Sequence, residues 1–448
     1  MHDRILIAGT GSGCGKTTVT SAVLRALQRR GVPLRAFKCG PDYIDPMFHT
    51  AALGVPSRNL DLFFEGEAGV RGQLRRALAP GSTGVIEGAM GFYDGISGMT
   101  DTASAAHLAR ATGTPAVLAV RPQGQSLSLA AVLEGFRTFA PNTLSGVLLN
   151  GVPRGMYPYY RDIAGQSGLR VYGYLPDLPE SSLPSRHLGL VTAQEVGGLR
   201  QKLDRLADAA EECIDLDGLL ALAAGAEPLT GETAPLPPAC GAGVRIAVAQ
   251  DAAFCFYYED NFDVLRALGA EIVPFSPLSD AALPPDTHGL YLGGGYPELH
   301  AARLAANAPL RDAVRQAAGR GLPMIAECGG FLYLHETLVD GDGTAHPMAG
   351  VLPGTARMTA RLQPFGYITL TAQQDSLLAR TGETIRAHEF HYACAPDSGS
   401  AFRADKPNGK SWPCAHAAAS LYAGFPHLYF RSNPDFAARF VRACAAWR

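Results

Sequence analysis

The first 223 residues alternate short apolar runs with amphipathic segments. The runs predict strands that are buried on both faces, and they are "RILIAG", "PLRAFKCG", "GVIEGAMG", "PAVLAV", "SGVLLNGV" and "RVYGYLP". Two segments with helical period end in glycine, "TTVTSAVLRALQRRG" and "DTASAAHLARATG". Buried parallel strands that are joined by crossover helices predict a doubly wound α/β domain.

A second α/β pattern follows a break in composition. Residues 224–243, "AGAEPLTGETAPLPPACGAG", have no hydrophobic period and are predicted to be a linker. Strand-like runs then recur as "VRIAVAQ", "EIVPFSPL", "HGLYLGGG" and "LPMIAEC", before a more strand-rich tail with "FGYITLTA" and "SLYAGFPHLYF". We therefore predict an α/β protein with two doubly wound domains, residues 1–223 and 244–448.

Composition and charge narrow the classes of partner. The chain has 448 residues and a formal net charge of −3 without a long basic run, so neither nucleic acid nor an anionic membrane surface is expected. No apolar stretch reaches the roughly 18 residues of a membrane span, and the amino terminus enters a functional loop instead of a signal peptide. A cytoplasmic location is expected. The nine cysteines form no C-x-x-C pair, which speaks against a zinc site or a disulfide framework.

The stretch "AGTGSGCGKTT" has the pattern of a phosphate-binding loop between a strand and a helix. Glycine N–H groups can approach phosphate oxygens closely, and the helix amino terminus favours negative charge. Lys16 is predicted to neutralise the β- and γ-phosphates of ATP, and the Thr17 hydroxyl to bind Mg²⁺. Thr10 stands where the usual pattern has its first glycine, and a plain glycine-rich turn is the alternative. The predicted ATP-binding residues are Gly11, Ser12, Gly13, Cys14, Gly15, Lys16, Thr17 and Thr18.

Two acidic stretches are predicted to complete this site. "GPDYIDP" places Asp42 and Asp45 on a loop after one strand, and "VIEGAMGFYDG" places Glu87 at the end of another. Ligands gather at the carboxyl ends of parallel strands, where a Mg²⁺ ion that bridges ATP phosphates needs carboxylate oxygens. Glu87 with Asp42 or Asp45 are the natural ligands. Asp42 and Asp45 could instead cap turns.

A cysteine in "AECGG", residues 326–330, follows a strand-like run and precedes a helix. Small neighbours permit a sharp turn on which a nucleophile projects, and the helix amino terminus is expected to lower the pKa of the Cys328 thiol. His427 of "AGFPHLYF" is the predicted base, and the alternative is that Cys328 is an inert core residue. The predicted oxyanion donors are the backbone N–H groups of Gly294, Gly295 and Gly329.

The order of motifs resembles the cobyrinate a,c-diamide synthase family. The motifs span nearly the whole chain and are "GTGSGCGKTT", "GPDYIDP", "IEGAMGFYDG", "LPSRHLGLV", "LGGGYPELH", "AECGGFLYL" and "AHEFHYA". The resemblance implies a P-loop NTPase-type ATP-binding domain similar to dethiobiotin synthetase. It also implies a flavodoxin-like class I glutamine amidotransferase domain, in which Cys328 attacks glutamine with the help of His427. The released ammonia then travels to the synthetase site.

The resemblance also implies a reaction and further site residues. ATP and Mg²⁺ serve to activate the a and c acetate carboxylates of cobyrinate in turn, and each amide takes one L-glutamine and one ATP. Asn150 matches a position that contacts adenine in related folds, although a strand-end Asn is often a turn residue. From the residues themselves, the predicted metal ligands are Thr17, Asp45 and Glu87. The implied substrate-binding residues are Asp42, Tyr43, Ile44, Asp45 and Asp94.

The sequence departs from related families at two positions. Other class I amidotransferases have a Glu two residues after the catalytic His, where this chain has Tyr429. His391 and Glu389 are candidates to support His427 instead, and the alternative is that both are buried structural residues. Gly11 stands where partition-type ATPases carry an extra lysine, which argues against that class. Hydrogenobyrinate and a nickel tetrapyrrole (Ni-sirohydrochlorin) are alternative substrates, and a regulatory protein with a silent amidase domain is the alternative from another class. The sequence does not reveal the oligomeric state, so a homodimer stays open.

Overall fold

The structure is a computed structural model that describes residues 2–181, 198–231 and 234–447. The motif "LPSRHLGLV", residues 183–191, lies outside the described residues. The chain divides into two compact units, Met1–Ala234 and Pro235–Arg448. This division falls inside the segment that the sequence predicts to be a linker.

The first unit is built on a seven-stranded parallel sheet with the strand order β3-β2-β4-β1-β5-β6-β7. Its strands are β1 (Arg4–Gly9), β2 (Leu34–Cys39), β3 (Ser57–Leu60), β4 (Thr83–Glu87), β5 (Ala116–Val120), β6 (Leu144–Asn150) and β7 (Arg170–Leu175). Its helices are α1 (Lys16–Arg29), α2 (Ile44–Leu53), α3 (Leu62–Ala77), α4 (Ala105–Thr112), α5 (Ser128–Thr138), α6 (Tyr157–Gly165), α7 (Leu199–Cys213) and α8 (Leu216–Ala224).

Buried residues cover both faces of this sheet. Ile5 and Ile7 of β1 belong to one apolar cluster, and Leu6 and Ala8 belong to another. Successive side chains of a strand point to opposite faces, so a strand that is covered on both sides needs a continuous apolar run. The pairing of Ile7 with Glu87 sets the carboxyl ends of β1 and β4 side by side.

The second unit has a six-stranded central sheet with the order β20-β21-β11-β10-β8-β9, parallel except for β20. Its strands are β8 (Val244–Ala249), β9 (Ala270–Phe275), β10 (Gly289–Leu292), β11 (Met324–Glu327), β20 (His416–Ala417) and β21 (Leu421–Gly424). The helices of this unit are α9 (Glu259–Ala267), α10 (Ala301–Ala306), α11 (Ala308–Gly319), α12 (Gly329–Leu334) and α13 (Pro434–Ala446).

Two further sheets account for the strand-rich tail. A four-stranded sheet, β13-β12-β14-β17, contains β12 (His335–Val339), β13 (Ala345–Pro347), β14 (Leu352–Met358) and β17 (Ala393–Cys394). A five-stranded antiparallel sheet, β19-β18-β15-β16-β22, contains β15 (Gly366–Ala372), β16 (Thr384–Glu389), β18 (Phe402–Asp405), β19 (Ser411–Cys414) and β22 (His427–Leu428). The predicted α/β class is confirmed, and these sheets are additions to the predicted doubly wound core.

Within the described ranges, no helix combines the length and the apolar character that crossing a membrane requires.

Candidate functional site

The glycine-rich loop of the first unit is shaped by two glycines in left-handed backbone conformation. Gly13 has φ +78° and Gly15 has φ +92°, which L side chains rarely adopt. Gly15 also has no room for a side chain, because a Cβ there would lie 1.9 Å from Asn150 Nδ2. The Lys16 ammonium folds back over the loop and donates to the carbonyl oxygens of Gly11 at 2.9 Å and Met90 at 2.6 Å.

A cavity of about 710 Å³ opens beside this loop. This volume lies in the usual range for small-molecule and cofactor sites. Its lining residues include Gly13, Gly15, Lys16, Thr17, Thr18, Asp45, Arg121, Asn150, Asp177 and Leu206. The predicted ATP-binding residues Gly11, Ser12 and Cys14 belong to the same loop, between β1 and α1.

Asn150 lies at the end of β6 and is buried. Its Nδ2 donates to the carbonyl oxygen of Cys14 at 3.0 Å. The side chain thus anchors the phosphate loop and also lines the cavity.

Four side chains from separate elements meet beneath the loop. Glu87 Oε1 accepts hydrogen bonds from the Thr17 hydroxyl at 2.7 Å and from Lys38 Nζ at 2.9 Å. Lys38 Nζ also lies 2.5 Å from Asp45 Oδ2. Lys38 is not among the site residues predicted from the sequence, although a lysine at the end of the apolar run "RAFKC" is as unusual there as Glu87 is at the end of "GVIE".

The charges of this cluster are mutually dependent. Burial disfavours a charged Lys38, but the carboxylates of Glu87 and Asp45 outweigh it and raise the pKa of Lys38. Burial likewise opposes the ionisation of Glu87, but Lys38 and His49 hold the pKa of Glu87 below its usual value. Burial and the charge of Glu87 raise the pKa of Asp45. One lysine therefore balances chiefly one carboxylate, that of Glu87.

His49 is a second residue of this cluster that was not predicted from the sequence. It is fully buried, and its Nε2 lies 3.2 Å from Glu87 Oε2. Its Nδ1 lies 3.3 Å from the Ser57 hydroxyl. The imidazole thus orients the half of the Glu87 carboxylate that faces away from Thr17.

The donor set fits Mg²⁺. Thr17, Asp45 and Glu87 offer hydroxyl and carboxylate oxygens, which are the hard ligands that this ion prefers. In the described part of the chain, no group of three or more His, Cys, Asp or Glu side chains is arranged to hold a metal ion. Phosphate oxygens would have to complete the coordination, as is usual for Mg²⁺. A cation that reached both carboxylates would have to displace the Lys38 ammonium.

The residues predicted to bind substrate differ in their settings. Asp42 Oδ1 accepts from the Ile44 N–H at 2.8 Å and so caps the turn into α2. Tyr43 is buried, and Ile44 is half-buried. Asp94 is exposed, and its Oδ2 accepts from the Gly91 N–H at 2.7 Å. Asp45 alone among them points at Lys38.

Cys328 of the second unit lies on a strained turn between β11 and α12. Its backbone has φ +47° and ψ −100°, a conformation that costs energy in a residue other than glycine and clusters at functional sites. The following residues must be small, because a Cβ on Gly330 would lie 2.2 Å from the Leu292 carbonyl oxygen. The geometry matches a nucleophile elbow.

The expected lowering of the Cys328 pKa is wrong for this structure. Burial raises the pKa of the thiol, and the nearby acids Glu298 and Glu389 add to this effect. The Gly329 N–H, at the start of α12, acts in the expected direction but is the smaller influence. A base that takes the thiol proton is therefore required if Cys328 is to react.

His427 lies next to the predicted oxyanion donors. A Cβ on Gly294 would lie 2.3 Å from His427 Cε1 and 3.2 Å from Nε2. The Gly294 carbonyl accepts from the N–H groups of Cys255 and Phe256 at 2.9 and 3.0 Å. Because the peptide is planar and trans, the Gly295 N–H points away from those two donors. The Gly295 nitrogen lies 3.1 Å from the position of a Cβ on Gly329.

The elbow and the histidine are also joined through the backbone. The Cys328 N–H donates to the carbonyl of Gly424, at the end of β21, at 2.8 Å. His427 follows in β22 and pairs with His388 of β16. Burial, with the charges of His388 and His391, lowers the pKa of His427 to about 3. The structure thus assembles Cys328, His427 and the three glycines in one place.

Two family models divide the chain as its folded units do. The CobQ/CobB/MinD/ParA nucleotide binding domain matches residues 5–191, and the CobB/CobQ-like glutamine amidotransferase domain matches residues 245–434. The chain is 40% identical to cobyrinate a,c-diamide synthase of Salmonella typhimurium over 451 residues, which cover 99% of this chain and 98% of that protein. The chain belongs to the cobyrinate a,c-diamide synthase family.

Other members of this family are similarly close. Cobyrinate a,c-diamide synthase of Thermoplasma volcanium is 39% identical over 98% of this chain and 97% of its own length. The enzyme of the same name from Gloeobacter violaceus is 41% identical over 99% of this chain and 97% of its own length. The resemblance predicted from the motifs is confirmed. The match to the nucleotide binding domain includes the phosphate loop and Glu87. The match to the glutamine amidotransferase domain includes Gly294, Cys328 and His427.

Proposed function

We propose that this protein converts cobyrinate to cobyrinate a,c-diamide with ATP and L-glutamine. The observation that carries the proposal is the presence of two complementary sites in a chain that matches cobyrinate a,c-diamide synthases over its length. One site has a phosphate loop above a buried lysine–carboxylate cluster. The other has a cysteine on a strained turn beside a buried histidine. The cytoplasm is the proposed location.

The first unit has to turn a carboxylate into an electrophile. A carboxylate oxygen attacks the γ-phosphoryl group of ATP, which gives an acyl phosphate and ADP. Lys16 and Lys38 are the cations that offset the charge of the phosphates and of the substrate acid, and both are buried, where such charges act strongly. Mg²⁺, held by Thr17, Asp45 and Glu87, would supply further charge neutralisation at the phosphates.

The second unit has to release ammonia from glutamine. His427 takes the Cys328 proton, and the sulfur attacks the side-chain amide carbon of glutamine. The N–H groups of Gly295 and Gly329, with that of Gly294, hold the resulting oxyanion. His427 returns the proton to the leaving nitrogen, ammonia departs, and water hydrolyses the thioester to glutamate and free Cys328.

Ammonia then displaces phosphate from the acyl phosphate and forms the amide. Two rounds, at the a and the c acetate, consume two ATP and two glutamine molecules. We assign Asp42, Tyr43, Ile44 and Asp94 to the binding of the corrinoid acid, and Asn150 to the adenine side of the nucleotide site. Asn150 lines the cavity, and residues 42–44 directly precede Asp45, which also lines it. Asp94 accepts from the N–H of Gly91, and the carbonyl of the preceding residue, Met90, accepts from Lys16 of the loop. These contacts support the assignment.

The test is mass spectrometry of the products after incubation with ATP, Mg²⁺ and glutamine. Cobyrinate, hydrogenobyrinate and Ni-sirohydrochlorin are offered separately, and a mass decrease of about 1 Da per amide identifies each acid converted. We expect the diamide from cobyrinate. Faster conversion of another tetrapyrrole would change the assigned substrate. ATP binding without any amide product would favour the regulatory alternative, in which the amidase half is silent.

A further inference from the structure

The residue immediately before Cys328 is a buried carboxylic acid. Glu327 is 2% exposed. Its Oε1 accepts from the Leu428 N–H at 3.0 Å, and its Oε2 accepts from the Tyr291 hydroxyl at 3.0 Å. Oε2 also lies 3.8 Å from Nδ1 of His427. The carboxyl group therefore touches the segment that carries the predicted base, and not only the strand that carries the nucleophile.

The surrounding structure holds this contact in place. Glu327 pairs with Gly424 in the register of β11 and β21, so the chain that leads to His427 starts beside it. Asn261 of α9 donates to the Leu428 carbonyl and accepts from the Phe430 N–H, both at 2.8 Å. The Leu428 backbone is thus fixed from two sides, by Glu327 and by Asn261. Its neighbour His427 can move little relative to the carboxyl group.

We propose that Glu327 is the positioning residue of His427. Its Oε2 accepts the Nδ1 proton, which keeps the lone pair of Nε2 available to take the proton of Cys328. The proposal rests on the proposed roles of Cys328 and His427. Glu327 would also replace the Glu that other class I amidotransferases have two residues after the histidine. Tyr429 occupies that position here, and its ring packs edge-on against Tyr258 with ring centroids 5.3 Å apart.

The ionisation of Glu327 sets the pH range in which this role operates. Burial raises the pKa of Glu327 to about 8, and burial with the nearby His388 and His391 lowers the pKa of His427 to about 3. The Glu327 carboxyl is therefore largely protonated below about pH 8 and ionised above it. In its ionised form it stabilises the imidazolium that forms when His427 takes the proton of Cys328, so the role predicts that glutamine hydrolysis increases as the pH rises through about 8. The contact has to shorten by about 0.8 Å to become a hydrogen bond, and unliganded sites often show such long contacts.

Glu389 is the other buried acid that could serve His427. Its Oε1 instead lies 2.9 Å from Nε2 of His391, whose Nδ1 donates to the Ala393 carbonyl at 2.7 Å. The His391 ring also stacks on Phe425 with centroids 3.7 Å apart. Glu389 is therefore committed to a separate histidine, and Glu327 is the better candidate.

The sharpest variant is Glu327→Gln. The amide oxygen has to accept the Leu428 N–H, so the amide nitrogen takes the place of Oε2 and presents a donor to Nδ1. That donor favours the tautomer with the proton on Nε2, which cannot act as base. We expect the kcat for glutamine hydrolysis to fall at least about 100-fold with little change in KM, while amidation with ammonia stays normal. The comparison variant Glu389→Gln should lose less glutamine hydrolysis than Glu327→Gln, because Glu389 is paired with His391.

A second variant separates positioning from packing. Glu327→Asp keeps an ionisable carboxyl group on a shorter side chain, whereas Glu327→Gln keeps the shape but cannot ionise. A positioning role predicts more glutaminase activity in the Asp variant than in the Gln variant, and a packing role predicts the reverse order. Normal activity of Glu327→Gln, the reverse order, or a loss confined to Glu389→Gln would each overturn the proposal.

A measurement on the wild type does not depend on whether the variants fold. In ¹⁵N-histidine-labelled protein, the resonance that is absent from His427→Asn reports which ring nitrogen carries the proton. A proton on Nδ1 supports the proposal, and a proton on Nε2 contradicts it. If the wild type hydrolyses no glutamine, the proposed function of this unit fails. If the wild type is active and Glu327→Gln equals it, only the role of Glu327 fails.

Discussion

Lys38→Met tests the electrostatics of the nucleotide site, because it removes a cation and keeps much of the side-chain shape. Lys38 is 4% exposed, and its ammonium lies 2.9 Å from Glu87 Oε1 and 2.5 Å from Asp45 Oδ2. Loss of one partner from a buried ion pair costs about 3–5 kcal/mol. Asp45 already has a raised pKa and can take up a proton in the variant. We therefore expect about 3 kcal/mol, the lower end of that range.

The assay is differential scanning calorimetry with and without Mg²⁺. A loss of about 3 kcal/mol corresponds to a fall in Tm of about 6–12 °C for a unit of roughly this size. At a Mg²⁺ concentration of about 100 times the Kd of the variant, binding stabilises the variant by about 2.7 kcal/mol. Displacement of Lys38 weakens the binding of Mg²⁺ to the wild type, so the wild type should be stabilised less than the variant at the same Mg²⁺ concentration.

The control is the double variant Lys38→Met with Glu87→Gln. It removes both members of the Lys38–Glu87 pair, so it should regain part of the lost stability, with a coupling of about 0.5–3 kcal/mol. It should also lose most of the extra response to Mg²⁺. An unchanged Tm for Lys38→Met, or equal stabilisation of wild type and variant by Mg²⁺, would refute the electrostatic account of this cluster.

Three further substitutions test the assigned chemistry. Cys328→Ala should abolish glutamine-driven amidation and spare ammonia-driven amidation, and residual glutaminase activity would show that another group is the nucleophile. Glu87→Gln should lower the turnover of ammonia-driven amidation about 100-fold or more across a Mg²⁺ titration, while the glutaminase stays intact, since the lost carboxylate stabilises charge at the phosphates. Gly294→Ala should lower glutaminase activity at least about tenfold, because its Cβ would lie 2.3 Å from His427 Cε1. Gly341→Ala, which has nothing within 4 Å of its Cβ, is the matched control, and equal activity of these two alanine variants would contradict the crowding argument.

The sequence alone was sufficient to predict those features whose structure depends on residues that are close together along the chain. The phosphate loop and the cysteine elbow each lie within about a dozen residues, where a strand, small residues and a helix follow in a diagnostic order. The apolar runs likewise predicted the doubly wound core, because a strand that is buried on both faces is apolar at nearly every position. Gly15 and Gly330 could be predicted as glycines that tight turns require.

Tertiary structure decided which distant side chains share a site. Lys38 reaches Glu87 across 49 positions, and Glu327 reaches the backbone of Leu428 across 101. Such pairs depend on the register of neighbouring strands, and a shift of one residue would turn each side chain to the opposite face. The raised pKa of Cys328 also depends on long-range packing. Burial within the folded unit raises this pKa by more than the N–H at the start of the short helix α12 lowers it. Local order along the chain thus determined the loops that carry the chemistry, and long-range packing determined the charges and contacts that surround them.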